Sequence, residues 1–146
     1  MASYKCAVLS ATPATGAAYW TINSATRKAN IHSLKVSLAT AVLSQVALGT
    51  PANEATPPVV TTSTTPIGQP SQIAATARIG TAWSTAPTAP TVFEDEVWLA
   101  AVIGSGWIFQ EDPTGWTEVK IGGWRTLWNR NASTAGQLSV SVLYDE

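Results

Sequence analysis

The pattern of residues 137–144, Gln-Leu-Ser-Val-Ser-Val-Leu-Tyr, constrains the fold of this chain more than any other feature. Leu138, Val140 and Val142 occupy every second position. Successive side chains of a β-strand point to opposite faces, so these three lie together on one face. The segment therefore predicts a half-buried strand. Residues 129–136 before it are rich in turn formers, and residues 124–128 are predicted to form the strand that pairs with it.

Short alternating segments recur along the rest of the chain, which is rich in Thr, Val and Trp, residues that suit a pleated surface. Further strands are predicted at residues 4–9, 18–22, 73–83, 92–102, 107–110 and 116–121. Residues 33–48 fit a helix that ends near Gly49 and also fit two strands joined by a turn; the two strands are favoured. Eight or nine short strands predict an all-β fold, an antiparallel β-sandwich of the jelly-roll type, in one domain over residues 1–146.

Residues 51–72 differ from the rest of the chain. This segment is rich in Thr, its only charged residue is Glu54, and its prolines include Pro57, Pro58, Pro66 and Pro70. Proline has no backbone N–H to donate, which excludes a helix or a central strand. The segment is predicted to form a long extended loop or arm, and loops of this length usually carry a function or are flexible.

The charge balance limits the classes of partner. Eight Lys and Arg face nine Asp and Glu, and charged residues make up only 12% of the chain. A nucleic-acid-binding protein needs a basic surplus to neutralise phosphates, so no nucleic-acid partner is predicted. The first residues lack the pattern of a signal peptide, and the uncharged residues 36–53 contain too many polar groups for a membrane span. Synthesis in the cytoplasm and no membrane partner are therefore expected.

Residues that could carry out catalysis or bind a metal are few. His32 and Cys6 are the only residues of their kinds, and each is expected to have a structural role, because the sequence announces no activating neighbour. Glu94 and Glu96 share a face of a predicted strand and could hold a cation, but a solvated strand edge also explains them. Asn131 begins a glycosylation tripeptide, a pattern that arises easily by chance. No catalytic, cofactor-binding or metal-binding residue is assigned, no cofactor is expected, and the chain is not expected to be an enzyme.

Tryptophan is the most informative residue type. Six of the seven Trp residues lie from Trp83 onward. They could pack in the core or act as anchors in contacts with a partner, and a division between the two roles is expected. The residues predicted to contact a partner are three prolines of the arm and four tryptophans: Pro57, Pro58, Pro66, Trp98, Trp107, Trp116 and Trp124.

Several segments, taken in chain order, carry a likeness to a known class of proteins. They are Ile-His-Ser-Leu-Lys-Val-Ser-Leu at 31–38, Gln-Val-Ala-Leu at 45–48, the arm at 51–72, Thr-Ala-Trp-Ser at 81–84, Ala-Pro-Thr at 86–88, Gly-Trp-Ile-Phe at 106–109, Leu-Trp-Asn at 127–129 and the C-terminal strand. Over nearly its whole length the chain resembles the small β-sandwich structural proteins of tailed bacteriophages, which include the capsid cement or decoration proteins.

This resemblance implies a phage virion structural protein, and most specifically a capsid cement or decoration protein that stabilises contacts between major capsid subunits. It implies a homotrimer at the capsid surface, made in the host cytoplasm, with the major capsid protein as its partner. The low charge agrees with extensive protein contacts, where charged residues are depleted. The alternative is a carbohydrate- or receptor-binding β-sandwich module of a tail or fibre, in which tryptophans stack on sugar rings.

Overall fold

The computed structural model describes residues 2–53, 74–110, 117–133 and 135–146, and all regular secondary structure in these ranges is β-strand. The strands are β1 Ser3–Leu9, β2 Ala18–Asn23, β3 Ala29–Leu38, β4 Ser44–Gly49, β5 Arg78–Gly80, β6 Asp95–Leu99, β7 Gly106–Gln110, β8 Glu118–Val119, β9 Trp124–Asn129 and β10 Leu138–Asp145. The all-β prediction is confirmed, with ten strands in the described ranges instead of eight or nine.

Two antiparallel sheets of five strands each form a β-sandwich. The first sheet has the order β1-β10-β3-β7, with β8 also paired to β3, and the second has the order β5-β2-β9-β4-β6. The pairing between the two halves of the chain is nested, because β1 pairs with β10, β2 with β9, β3 with β7 and β4 with β6. Each strand of the first half therefore lies beside a strand that is distant from it in sequence.

Residues 33–48 form parts of two strands and not a helix. β3 and β4 are separated by a loop at residues 39–43. In β3 the side chains of Leu34, Val36 and Leu38 are buried in the core, and these are the residues that alternate. β3 has neighbours on both sides, β10 and β7, which satisfy its backbone hydrogen bonds. Tertiary pairing therefore selects the strands where the local pattern also fitted a helix.

Three strands are shorter than predicted. β5 occupies three residues of the predicted 73–83, β6 five residues of 92–102 and β8 two residues of 116–121. A strand continues only as far as a neighbouring strand pairs with it. Among the described residues, β5 pairs only with Thr21, Ile22 and Asn23 of β2, and β8 only with Ala29 and Asn30 of β3.

The two sheets differ in what covers their outer faces. Along β10 of the first sheet, buried and half-buried positions alternate, because one face packs in the core and the other faces solvent. In β2 of the second sheet all six residues are buried. The outer face of the second sheet has its own apolar cluster, which consists of Ala18, Ala47 and Trp128 with Trp83, Ala89 and Phe93 packed against them. Residues 81–94 thus form a cover over this face.

Gly49 allows the cover to approach the second sheet. A Cβ atom at this position would lie 3.2 Å from Cγ of Pro90 and 3.3 Å from Cδ1 of Phe93. The absence of a side chain therefore leaves room for the cover above β4. Trp128 is fully buried beneath it, and burying a large apolar side chain contributes on the order of 3 kcal/mol.

The predicted pairing of residues 124–128 with the C-terminal strand is wrong. β9 pairs with β2 and β4 in the second sheet, whereas β10 pairs with β1 and β3 in the first. The turn-rich residues between β9 and β10 therefore cross from one sheet to the other instead of closing a hairpin. Two asparagines hold this crossing in place: Asn129 Nδ2 donates to the carbonyl of Pro13 at 2.9 Å, and Asn131 Nδ2 donates to the carbonyl of Leu43 at 2.8 Å.

Arg125 ties the two sheets together at one end of the sandwich. Its Nη2 donates to the carbonyl of Glu118 in the first sheet at 3.0 Å, and its Nη1 donates to Oγ1 of Thr50 at 3.0 Å. Its Nε lies 3.5 Å from Oε2 of Glu94, and only 14% of the side chain is exposed. Hydrogen bonds from a charged donor are stronger than neutral ones, so this one side chain is expected to restrain three chain segments.

Candidate functional site

β6 and β7 are edge strands on the same side of the sandwich, β6 in the second sheet and β7 in the first. Each has five residues, and residues 100–105 join them. Gly104 has a φ of 86° in this connection, a conformation that glycine adopts without strain. At Gly106 a Cβ atom would lie 2.6 Å from the carbonyl oxygen of Val36, so only glycine fits the present spacing of β3 and β7.

Large apolar side chains are exposed along these two strands and their connection. We call them the apolar edge: Trp98, Val102, Ile103, Trp107 and Ile108. Trp98 is 60% exposed and Trp107 is 50% exposed, so about half of each indole faces solvent. Indoles placed in this way are typical anchors of protein interfaces and can also stack on sugar rings.

The loop between β3 and β4 extends this apolar surface. Val42 and Leu43 are exposed in that loop, and the pairing of Ser44 with Leu99 places the end of the loop beside the residues that follow β6. In the described ranges, seven of the ten exposed large hydrophobic side chains thus belong to one corner of the sandwich. Single exposed apolar residues are normal, whereas a cluster of this kind marks an interaction surface.

A groove with a volume of about 770 Å³ runs along β7. Its lining includes Lys35, Trp107 and Ile108 of the first sheet and Asp95 of β6 in the second. Neither Lys35 nor Asp95 forms an ion pair with any described residue; the Asp95 carboxylate accepts a hydrogen bond from the backbone N–H of Glu96 at 2.8 Å. Apolar and polar residues thus line the groove together with one charge of each sign, and neither charge has an ion pair among the described residues.

The acidic residues on either side of Asp95 each contact an arginine. Oε1 of Glu96 accepts a hydrogen bond from Nε of Arg130 at 2.8 Å, and Arg130 also lies over the ring of Phe93 at 4.4 Å. Glu94 contacts Arg125 and accepts a hydrogen bond from Thr50 at 3.1 Å. Each carboxylate thus has an arginine as its counter-ion, and in the described ranges no three His, Cys, Asp or Glu side chains group together as metal ligands would.

His32 has an oriented partner that the sequence did not reveal. Its Nε2 lies 2.7 Å from Oδ2 of Asp145 on the neighbouring strand β10. Burial alone raises the pKa of the Asp145 carboxyl, but hydrogen bonds from Ser3 and His32 outweigh that effect and hold the pKa below its ordinary value. The pair joins adjacent strands of the first sheet, and this cross-strand position accounts for it without a catalytic role.

The predicted contact tryptophans divide between surface and interior. Trp98 and Trp107 are exposed on the apolar edge, but Trp124 is only 4% exposed, so its predicted place on the contact surface is wrong. Trp124 lies in β9, which has a neighbouring strand on each side, and Nη1 of Arg125 donates to its carbonyl at 2.9 Å. An indole this buried in a central strand offers too little surface to anchor a partner.

Four other predicted contact residues, Pro57, Pro58, Pro66 and Trp116, lie outside the described residues, as does most of the predicted arm at 51–72. The described part of that arm, residues 51–53, meets the cover, because the backbone N–H of Ala52 donates to the carbonyl of Thr88 at 2.9 Å. The prediction that these four residues contact a partner therefore stays a prediction.

Cys6 and Asn131 both have structural surroundings. Cys6 is buried in the core of the sandwich, as expected. Asn131 is buried, its Nδ2 donates to the carbonyl of Leu43, and its Oδ1 accepts from the backbone N–H of Gln45. The amide nitrogen that glycosylation would modify is thus engaged in the fold.

Sequence reasoning missed Lys35, Asp95 and Ile108 as parts of this edge. These residues come together only because β3, β6 and β7 become neighbours across the sandwich. One local signal was present, since Val102 and Ile103 are large apolar residues directly before a turn glycine. A short turn has too few residues to cover its own large apolar side chains, so such side chains are usually exposed.

Comparisons of the chain with protein-family models, with curated protein sequences and with solved structures find no match. No helix that could cross a membrane occurs in the ranges that the structure describes.

Proposed function

We propose that this chain is a virion structural protein of a tailed bacteriophage, a capsid cement or decoration protein that stabilises contacts between major capsid subunits. The apolar edge carries the proposal, because together with Val42 and Leu43 of the neighbouring loop it gathers seven of the ten exposed large hydrophobic side chains of the described ranges. Proteins that act by docking concentrate aromatic and apolar anchors in this way and deplete charge around them. The resemblance of the sequence segments supplies the class of partner.

The strand order supports the jelly-roll part of the proposal. Without the short β5 and β8, the remaining strands divide as β1-β10-β3-β7 and β2-β9-β4-β6. This is the order expected when one long antiparallel hairpin is rolled into two sheets. Double-sheet jelly rolls of this kind occur in viral capsid proteins and in lectins. One fold serves many functions, so the apolar edge and not the strand order carries the functional conclusion.

On this proposal the protein acts through its shape and not through a reaction. The resemblance implies a homotrimer at the capsid surface, so that several copies bind neighbouring capsid subunits at once. Linked contacts of this kind raise the overall affinity well above that of a single contact. The apolar edge and the arm at 51–72 are the surfaces proposed to meet capsid protein or other copies.

The test is co-sedimentation of the purified chain with shells assembled from the major capsid protein encoded in the same genome. We expect binding that weakens about tenfold or more in Trp98→Ala and Trp107→Ala, the range of loss expected for interface anchors. Leu9→Ala is the matched control, because Leu9 is 59% exposed but lies on β1 at the opposite edge of the first sheet. This control should bind as the unchanged chain does.

Two results would refute the proposal. One is a genome without a major capsid protein gene. The other is no co-sedimentation at concentrations at which the folded chain is soluble. Equal losses of capsid binding in Trp98→Ala, Trp107→Ala and Leu9→Ala would show that exposed apolar residues act non-specifically. The apolar edge would then not be the surface that binds the capsid.

The alternative function, a carbohydrate- or receptor-binding module, is favoured by the half-exposed indoles of Trp98 and Trp107. A sugar ring that stacks on either indole changes the Trp emission. A glycan that shifts the emission of the unchanged chain but not that of Trp98→Ala would favour this alternative. An emission unchanged by a broad glycan panel would exclude it.

A further inference from the structure

The exposed indole of Trp98 lies on the outer face of the second sheet. In β6, Val97 and Leu99 pack in the core, so Glu96 and Trp98, which alternate with them, point to the outer face. Gln45 of β4 is paired with Trp98, which places these two side chains next to each other on that face. Trp98 is 60% exposed, so more than half of its side chain is accessible to a ligand.

A group of polar side chains lies next to this indole. Oε1 of Glu96 accepts a hydrogen bond from Nε2 of Gln45 at 3.2 Å and another from Nε of Arg130 at 2.8 Å. We call Gln45, Glu96 and Arg130 the polar trio. The Gln45 side chain extends from its place opposite Trp98 to the carboxylate of Glu96. An aromatic side chain and three planar polar groups therefore share one exposed surface.

The polar trio has hydrogen-bonding capacity that the fold does not use. Both of its internal hydrogen bonds end on the same oxygen of Glu96. Among the described residues, no hydrogen bond reaches Oε2 of Glu96, Oε1 of Gln45 or the two Nη groups of Arg130. The surface beside the indole thus offers both acceptors and donors. A hydroxyl group both donates and accepts, so neighbouring hydroxyl groups of one ligand match this set.

The fold holds the polar trio in place before a ligand binds. The backbone N–H of Arg130 donates to the carbonyl of Gln45 at 2.9 Å, and the backbone N–H of Gln45 donates to Oδ1 of the buried Asn131. The Arg130 guanidinium also lies over the ring of Phe93 in the cover, 4.4 Å from its centre. Side chains that are already positioned lose less conformational freedom on binding, which favours binding.

We propose that Trp98 and the polar trio form a binding site for a neutral pyranose sugar. The C–H groups on one face of the sugar ring stack on the indole, and the hydroxyl groups at its edge form hydrogen bonds with the polar trio. Charge favours a neutral sugar over an anionic one. The arginine of the trio already has Glu96 as its counter-ion, and an anionic sugar at the same place meets a carboxylate of like charge.

Trp107 is exposed in the same apolar edge but has a different neighbour. The residue paired with Trp107 is Val36, which is apolar and buried, whereas the amide of Gln45 lies opposite Trp98. Trp107 therefore lies on the core-facing side of the first sheet, at its edge, and not on an outer face. Its indole is 50% exposed, which makes it the matched control for the indole of Trp98.

This inference goes beyond the capsid role and rests on the carbohydrate alternative, which it deepens by naming the residues and the class of sugar. It assigns Trp98 to the sugar and leaves Trp107 outside the site. It does not require that the apolar edge binds capsid protein.

Indole N–H signals in a proton–nitrogen correlation spectrum test the site, because each Trp gives its own signal. Spectra of Trp98→Ala and Trp107→Ala assign the two signals. The probes are the methyl glycosides of glucose, galactose, mannose and N-acetylglucosamine, with glucuronic acid as the anionic counterpart. We expect at least one neutral glycoside to shift the Trp98 signal saturably, with a dissociation constant of about 1 mM. The Trp107 signal should stay in place.

Three variants, followed by the remaining indole and backbone signals, identify the contacts. Trp98→Ala should abolish saturable binding, because it removes the stacking surface. Glu96→Gln should raise the dissociation constant about tenfold, because hydrogen bonds to a charged acceptor are stronger than those to a neutral one. Trp107→Ala should bind the glycoside as the unchanged chain does. Urea unfolding of each variant checks that it is folded.

Four results would overturn the inference: no saturable shift with any of the neutral glycosides, tighter binding of glucuronic acid than of all of them, a shift at Trp107 as large as that at Trp98, or binding that Glu96→Gln leaves unchanged. Co-sedimentation with capsid shells, run on the same preparations, keeps the two proposals apart. Capsid binding without glycoside binding refutes the inference alone, and glycoside binding without capsid binding refutes the capsid role alone.

Discussion

Two buried hydroxyl groups in the second sheet allow a quantitative prediction. Thr21 and Thr126 are opposite each other on β2 and β9, both are fully buried, and their Oγ1 atoms are 2.8 Å apart. Oγ1 of Thr21 also donates to the carbonyl of Arg125 at 3.0 Å. The Thr21 hydroxyl has a single proton, and it uses this proton in the hydrogen bond to the carbonyl. The Thr126 hydroxyl must therefore be the donor in the hydrogen bond between the two threonines.

The two valine substitutions are therefore expected to have unequal costs. Thr126→Val removes the hydrogen bond that Thr21 accepts, while the Thr21 hydroxyl still donates to its carbonyl. The free energy of unfolding should therefore fall by about 1 kcal/mol. Thr21→Val leaves the buried Thr126 hydroxyl with no acceptor in the described ranges, and the loss is about 2–3 kcal/mol. With both hydroxyls removed no such unpaired group remains, so the double variant should lose only about 1 kcal/mol.

The assay is urea unfolding at pH 7, followed by Trp emission, with the free energies compared in a double-mutant cycle. The expected coupling between the two sites is about 2–3 kcal/mol, at the upper end of the range for residues in contact. Thr26→Val, an exposed turn position, is the control and should change stability by less than about 0.5 kcal/mol. Additive losses, or a larger loss in Thr126→Val than in Thr21→Val, would refute the assigned donor and acceptor.

Two further predictions concern the first sheet. The pKa of Asp145 is lower in the folded chain than in the unfolded chain, so its charge stabilises the fold above about pH 4 and this stabilisation is lost as the pH falls through the folded pKa. The urea concentration at the unfolding midpoint of Asp145→Asn should lie below that of the unchanged chain at pH 7, and the two should approach each other in acid. A difference between the two midpoints that stays constant with pH would contradict this. Gly106→Ala brings a Cβ to 2.6 Å from the Val36 carbonyl oxygen, so it should cost about 1–3 kcal/mol in urea unfolding, and an unchanged midpoint would show that β7 can shift freely.

Features that depend on neighbours in sequence were predictable. Leu138, Val140 and Val142 are buried on one face of β10, as their alternation predicts. The alternation of Leu34, Val36 and Leu38 likewise predicted β3. The placement of Cys6 in the core follows from its small apolar side chain in an alternating segment.

Features that depend on distant neighbours were not predictable. β9 and β10 are close in sequence and joined by turn residues, yet they belong to different sheets because β9 finds its partners in β2 and β4. His32 and Asp145 form a pair only after β10 takes its place beside β3. The groove between Lys35 and Asp95 depends in the same way on the stacking of two sheets.

Trp98 and Trp128 show which property of a side chain follows from the sequence and which depends on the tertiary structure. Alternation in the sequence groups Trp98 with Glu96 on one side of β6, and Trp128 with Thr126 on one side of β9. Strand pairing then directs both indoles to the outer face of the second sheet, because Ala47 pairs with Trp128 on one side and with Glu96 on the other. The tertiary structure decided their exposure: the cover formed by residues 81–94 packs over Trp128, while Trp98 on the edge strand β6 stays 60% exposed. A side chain's direction follows from its own backbone, but its burial depends on segments that the chain brings there from elsewhere.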